Sequence, residues 1–204
     1  IAPMMKKGDI FNILEANFTI VAIKSLNLSK KNTNMQQNDV TIRPAIQADV
    51  PSMLALITEL AIFERAVEEV ENTVEQLTKD GFGENPLYGC LVAVKNNAQI
   101  VGMSLYYYRY STWKGKRLFL EDLIVSEPYR NQGIGKRLFE ETMHKSKELG
   151  CNGMVWQVLD WNTTAISFYK NYGAQLAPEW VNVALGKSDI ERWIKKNQTD
   201  FTNL

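Results

Sequence analysis

The chain reads as an α/β protein built on one mixed sheet, antiparallel in its first half and parallel at its centre. Three observations predict this. Cys90 to Val94 and Ile100 to Tyr110 are apolar runs on either side of an Asn96-Asn97 pair, the composition of a tight antiparallel hairpin. Arg117 to Val125 is a third such run, and an amphipathic stretch from about Gly133 to Leu149 separates it from a fourth, Met154 to Leu159. Two strands joined through a helix of that length lie parallel, because no hairpin turn connects them.

Residues 1–38 differ from the rest and read as an N-terminal extension, with the domain proper spanning 39–204. Ile10, Phe11, Ile13 and Leu14, then Phe18, Ile20 and Ala22, suit a short helix or strand, and Lys24 to Asn38 is polar and linker-like. Asp9 and Glu15 interrupt the apolar part, which argues against a signal peptide. The domain opens with a strand at Val40 to Arg43. Asp49 and Pro51 start a helix in which Val50, Met53, Leu54, Ile57, Leu60 and Ala61 recur at helical spacing through about Phe63. A short helix follows Thr73, and Asp80 to Pro86 is a loop. After the hairpin, the third strand, the long helix and the fourth run, Thr163 to Tyr172 is a short helix ended by Gly173. An apolar stretch, Val181 to Leu185, and a helix from Ser188 to Lys196 complete the chain.

Composition excludes several classes. The 23 basic and 23 acidic residues balance, so no cationic surface calls for nucleic acid. No apolar run approaches the ~18 residues of a membrane span, and the expected setting is cytoplasmic. Cys90 and Cys151 fit no metal-ligand spacing, and a single histidine, His144, sits mid-helix among charged residues. No metal site is expected.

The stretch from Leu118 to Leu149 carries the most information. A strand, a glycine-bearing turn and a helix N-terminus follow one another, and such a junction binds anions. The first N–H groups of a helix have no partner within it and lie at the positive end of its dipole. Gly133 and Gly135 lack Cβ atoms and admit a ligand close to the backbone, while Arg130, Lys136 and Arg137 add positive charge. A nucleoside-triphosphate loop needs glycine where Arg130 stands and Ser or Thr where Arg137 stands. A dinucleotide fingerprint needs glycine or alanine in place of Leu138. What remains is R-x-x-G-x-G, Arg130 to Gly135.

Two further features bear on chemistry. Glu121 and Asp122 interrupt an apolar strand. Because strand side chains alternate, one of them shares a face with Phe119, Leu123 and Val125, at a cost unless it pairs with a group such as Arg43 or Arg109. In Asp160 to Ala174, Asn162 suits a helix N-cap, and Ile166, Phe168 and Tyr169 crowd one side of the helix.

R-x-x-G-x-G resembles the pyrophosphate-binding segment of the GNAT N-acetyltransferase superfamily. N-x-x-A-x-x-F-Y-x-x-x-G-A, Asn162 to Ala174, resembles the superfamily segment whose tyrosine faces the cofactor sulfur. The similarity runs from Ile42 to about Trp180. Within the superfamily, E-L-A-x-F-E (Glu59 to Glu64), D-G-F-G-E-N-P (Asp80 to Pro86), Y-S-T-W-K-G (Tyr110 to Gly115), L-E-D (Leu120 to Asp122) and V-L-D-W-N (Val158 to Asn162) resemble the diamine acetyltransferases, and most of all their thialysine-acetylating branch.

That resemblance implies the GNAT fold, its central parallel strands splayed around acetyl-coenzyme A, and transfer of acetyl to the primary amine of a small molecule. Glu121 would be the base, directly or through water, and Tyr169 the acid. Leu123, Ile124, Val125, Arg130, Asn131, Gln132, Gly133, Ile134, Gly135, Lys136, Asn162, Ala165 and Tyr172 would line the cofactor. Phe63, Glu64, Trp113, Asp122, Trp156 and Gln157 would surround the amine. Where the polyamine-specific branch has an acidic residue this chain has Ser111, with Arg109 close by, which implies weak polyamine use and better use of an amine bearing a carboxylate. A homodimer is implied likewise. Transfer to a protein lysine or N-terminus, and non-catalytic sensing of acyl-coenzyme A, are the competing readings.

Overall fold

The computed structural model describes residues 40–197. The segment read above as an N-terminal extension lies outside the described residues. These form two compact units, one reaching Gln157 and the other starting at Val158.

The first unit is a mixed sheet in the order β1 (Val40–Pro44), β2 (Gly89–Lys95), β3 (Gln99–Ser111), β4 (Gly115–Val125), β5 (Met154–Trp156). β1 to β4 pair antiparallel, and β5 runs parallel to β4. The Asn96-Asn97 turn has φ of 50° and 57°. Left-handed backbone at both central positions gives the turn the twist that matches two right-twisted strands, and asparagine tolerates it better than most residues.

Helices cover both faces of the sheet. On one lie α1 (Val50–Glu64) and α2 (Val74–Phe82), whose Met53, Leu56 and Leu77 pack against Val92, Met103, Leu105 and Ile124. Thr73 caps α2 by accepting from Gln76 N at 3.1 Å. Arg43 does not pair with the β4 carboxylates; it grips Asp49 through two bonds of 2.6 and 3.0 Å and so fixes the entry to α1. That guanidinium holds the Asp49 carboxyl below its ordinary range. On the other face lies α3 (Ile134–Glu148), which buries Leu138 and Phe139 and meets β3 where Ser104 Oγ and Thr142 Oγ1 lie 2.6 Å apart.

The pairing of β3 with β4 slips by one residue between Leu105 and Tyr106: Leu105 faces Asp122 and Tyr106 faces Leu120, leaving Glu121 as the extra residue of a β-bulge. This overturns the expected alternation. Phe119 stacks on Tyr107 on the α1 face, and Ile124 belongs to the α1 core. Glu121 and Asp122, which follow the one and precede the other by two residues, therefore share that face. Leu123 and Val125 point the other way, toward α3; Leu123 is registered with Ser104.

The same bulge shortens the fourth run. Pairing of β4 with β5 covers only Leu118 to Leu120 against Met154 to Trp156, so the strand expected to reach Leu159 stops at Trp156. From Glu121 to Val125 no strand pairs with that edge of β4 among the described residues.

The second unit holds α4 (Thr163–Lys170) and α5 (Lys187–Lys196). Asn162 Oδ1 accepts from Ala165 N at 3.1 Å, the expected cap. α4 ends two residues earlier than its pattern suggested, in a turn closed by Gly173 at φ 77°. Phe168 packs its ring against Tyr169 and Tyr172, each 5.3 Å away. Val181 to Leu185 forms neither strand nor helix, and Val183 is 92% exposed.

Candidate active site

The turn between β4 and α3 aims its backbone in a way that glycine permits. Gly133, at φ 77° and ψ 2°, is the N-cap of α3, and Asn131 is left-handed as well, at 61°. No side chain caps this end, no acidic residue sits in its first turn, and Lys145 and Lys147 occupy its last. Among the described residues, no side-chain anion therefore caps the dipole's positive end. The two glycines differ in what they require. A Cβ at Gly133 would meet nothing within 4 Å, so its left-handed φ alone explains glycine there. Gly135 has no such φ, and its Cβ would meet only Val125 Cγ2 at 3.6 Å, an ordinary contact. Nothing in the fold demands glycine at 135, which fits a position kept open for a ligand.

A carboxylate that sequence reasoning did not single out anchors this turn. Glu59 Oε1, on α1, accepts from Glu127 N at 2.7 Å and from Arg130 Nη2 at 3.3 Å. Arg130 also donates from Nε to Val125 O at 2.9 Å and lies over the Phe63 ring at 5.6 Å. Arg130, expected as free positive charge, thus acts as a strut between β4, α1 and the turn. The signal for Glu59 was its place in the E-L-A-x-F-E segment. Exposed Lys136 pairs with Glu140 at 3.8 Å.

On the α1 face of β4, Asp122 feels two other carboxyl groups. Burial, then the charges of Glu121 and Glu64, push Asp122 up to about 6; burial also raises Glu64, at the end of α1. Glu121 is exposed and close to Tyr107, whose phenol is raised by burial first and by the Glu121 charge next. An acidic, partly desolvated cluster attracts an ammonium and offers proton acceptors. Its cost is a testable consequence. The folded state holds the Asp122 proton more tightly than the unfolded chain, so Asp122 lowers stability as pH rises from about 4 through 6. Asp122→Asn removes that cost. Urea unfolding should show the variant about 1–3 kcal/mol more stable than the native chain at pH 7.5 and equal to it at pH 3.5; a less stable variant at pH 7.5 contradicts this.

The other expected residues are spread more widely. Phe63 and Glu64 end α1 on the face that carries Glu121 and Asp122. Trp156 lies on the opposite face, its ring 5.5 Å from that of Phe139, and exposed Gln157 follows it. Trp113 stands at the tip of the β3–β4 hairpin, 83% exposed, and so walls no pocket within this unit. Ser111 Oγ accepts from Trp113 N and Lys114 N at 3.3 and 3.2 Å, which ties its hydroxyl to the hairpin turn. Ile124 and Ile134 bury their side chains, leaving backbone to face a ligand, while Leu123, Val125 and Gln132 flank the turn. In the second unit, Asn162 and Ala165 form the cap of α4, Tyr172 follows it, and half-buried Tyr169 has its phenol pushed up to about 12 by burial.

Comparison with known proteins narrows the reading. Residues 54–174 match the family model described as "Acetyltransferase (GNAT) family". The thialysine N-epsilon-acetyltransferase of Bos taurus is 43% identical over 143 residues, which cover 67% of this chain and 84% of that protein. A spermidine/spermine N(1)-acetyltransferase-like protein of Homo sapiens is 39% identical over 139 residues, 65% of this chain and 20% of that one. Among solved structures, an aminoglycoside acetyltransferase from an uncultured soil metagenomic sample superposes with a TM-score of 0.61 at 22% identity, covering 73% of this chain and 97% of its own, and so shares the fold. With the family model covering more than half of its length, this chain belongs to the GNAT acetyltransferase family and is an N-acetyltransferase.

Proposed function

We propose that the protein transfers acetyl from acetyl-coenzyme A to the primary amine of a small molecule of the thialysine or diamine type. The observation that carries this reading is the uncapped N-terminus of α3, with a glycine at 135 that the fold does not require, beside the edge of the strand that bears Glu121 and Asp122, which no strand among the described residues pairs with. The amides of Gly133 to Lys136 bind the diphosphate, and the turn is held in shape by Glu59 and Arg130. When bound, acetyl-coenzyme A supplies the activated acetyl thioester.

An alkylamine in water is mostly ammonium, with a pKa near ~10.4, and lacks the lone pair that attack requires. Glu121 accepts its proton, directly or through water, and with Glu64 and Asp122 draws the cation in. A main-chain N–H near Leu123 stabilises negative charge as it develops. Tyr169, assigned on the resemblance of its segment, gives a proton to the departing thiolate. A phenol carries its proton at neutral pH, as an acid must, and burial pushes that of Tyr169 further up, to about 12.

Thiol release from acetyl-coenzyme A with a panel of thialysine, lysine, spermidine and a lysine-bearing peptide tests this. Release with thialysine is expected, and more slowly with spermidine. Release with the peptide alone replaces the reading with protein acetylation, and none with any amine overturns it. A homodimer is proposed too: Trp180, Val181, Val183 and Leu185 are largely exposed in the single chain, and a monomer by light scattering contradicts it.

A further inference from the structure

The turn before α3 is held from outside itself, by a residue whose charge is wrong for an anionic ligand. Glu59 lies on α1, 68 residues before the amide it accepts from. A carboxylate near a diphosphate repels it, so charge gives no reason for an acid at this place. Geometry does. A short 3-10 turn, Glu127–Tyr129, leads out of β4, and its N-cap, Ser126, makes no side-chain bond to it. The amide of Glu127 therefore needs an acceptor from elsewhere. Glu59 Oε1 meets it at 2.7 Å, and the same oxygen takes Arg130 Nη2 at 3.3 Å. Arg130 N donates to Glu127 O at 3.2 Å, and the next residue, Asn131, is left-handed. One oxygen thus fixes the turn at its first residue and again at the residue that leads into Asn131 and Gly133. The arginine is occupied by the same grip. Its Nε bonds to Val125 O at 2.9 Å and its Cζ stands 5.6 Å from the centre of the Phe63 ring. Contacts to β4 and α1 keep the guanidinium from swinging to a ligand, and the Glu59 carboxylate offsets its charge.

We propose that Glu59 is a positioning residue for the acyl donor, which by accepting from Glu127 N and Arg130 sets the turn so that the first amides of α3 meet the diphosphate, and which acts through its reach and not its charge. This rests on the acetyl-coenzyme A reading and adds to it a residue of α1 that touches neither substrate. The amides bind well only when several point at one anion together, and a shift of the turn by a fraction of an ångström spoils that convergence. The consequence reverses the ordinary electrostatic expectation. Removing a negative charge beside an anion site should tighten binding; removing this one should weaken it. The effect is confined to donors that carry the diphosphate, because Glu59 acts on the turn alone.

Three substitutions separate reach from charge, read by calorimetric titration of acetyl-coenzyme A. Glu59→Ala removes the acceptor, and Glu59→Asp keeps the charge but draws the oxygen back by over ~1 Å. Both should raise Kd by about tenfold or more. Glu59→Gln loses the charge and keeps an oxygen that accepts, so it should stay within about threefold of native. If charge governs, Ala and Gln bind more tightly than native and Asp binds as native does, and the proposal is overturned. Thiol release with thialysine gives a second readout. The kcat/KM for acetyl-coenzyme A should fall with Glu59→Ala through KM, while that for S-acetylpantetheine, the same thioester without the diphosphate, changes less than about threefold. Equal losses with both donors reduce Glu59 to a support of the fold and overturn the positioning role. Should Glu59→Ala not fold, Glu59→Asp decides. Absence of thiol release with every amine, with the binding order of the variants as expected, supports the positioning role and overturns the catalytic reading instead. Failure of the native protein to bind acetyl-coenzyme A overturns both.

Discussion

Tyr169→Phe is expected to lower kcat by about 100-fold or more while changing acetyl-coenzyme A affinity less than about threefold. General acid catalysis by a placed side chain contributes ~10²–10⁴, and the substitution removes one oxygen while keeping the ring that packs on Phe168. Burial holds the phenol near 12, so at working pH Tyr169 carries its proton and no alkaline fall in rate should come from it below about pH 11. Activity should instead climb as the amine loses its own proton toward ~10.4. Steady-state kinetics from pH 7 to 10 on both proteins separate these effects. A kcat within about threefold of the native value removes Tyr169 from the reaction and leaves the thiolate to find its proton in water.

The second large effect concerns the two glycines of the β4–α3 turn, which make opposite predictions. Gly133→Ala forces a side chain into left-handed backbone and should cost about 1 kcal/mol of stability. Gly135→Ala should do no harm to the fold. Its Cβ meets only Val125 at 3.6 Å, it lies within α3, and alanine there is worth about 0.5–1 kcal/mol over glycine. Stability and ligand affinity are therefore expected to move in opposite directions at 135: a methyl group on the amide cradle keeps a diphosphate from approaching, and affinity should fall at least about tenfold.

What the sequence disclosed and what it concealed follow from the range of the interactions involved. Asn96-Asn97, the Thr73 and Asn162 caps and the glycine before α3 act over a few residues, so residue type and position sufficed to read them. The helix-bearing connection between β4 and β5 was legible because its length permits only parallel strands. The bulge at Glu121 was not. It depends on how β3 and β4 align across a hairpin, and a one-residue slip leaves no mark on the apolar pattern of either strand. Missing it put Glu121 and Asp122 on opposite faces and let β5 run three residues too far. The Glu59–Arg130 pair, 71 residues apart, was equally hidden. Arg130 drew attention as a cation near a phosphate, whereas its role as a strut depends on α1 and a β4 carbonyl. Arg43 was offered to the wrong carboxylate for the same reason: its partner, Asp49, lies six residues away at the start of a helix, and only the folded geometry shows the two-bond grip.

The acidic face also carries a cost to the fold, which the proposed function accounts for. Asp122, among apolar neighbours and beside two other carboxyls, opposes folding near neutral pH, whereas Asp49, held down by Arg43, supports it above about pH 4 and ceases to as the medium becomes more acidic. Carboxylates of opposite effect on one domain mark which one serves the fold. The cost of the other fits the role proposed for it beside a cationic substrate.

The most direct test of how this protein holds its acyl donor is calorimetric titration of acetyl-coenzyme A into native protein and Gly135→Ala, with urea unfolding of both. A variant at least as stable as the native chain that binds at least about tenfold more weakly is the expected result. Native-like affinity in that variant, or no binding by the native protein, contradicts a diphosphate seated on the first amides of α3.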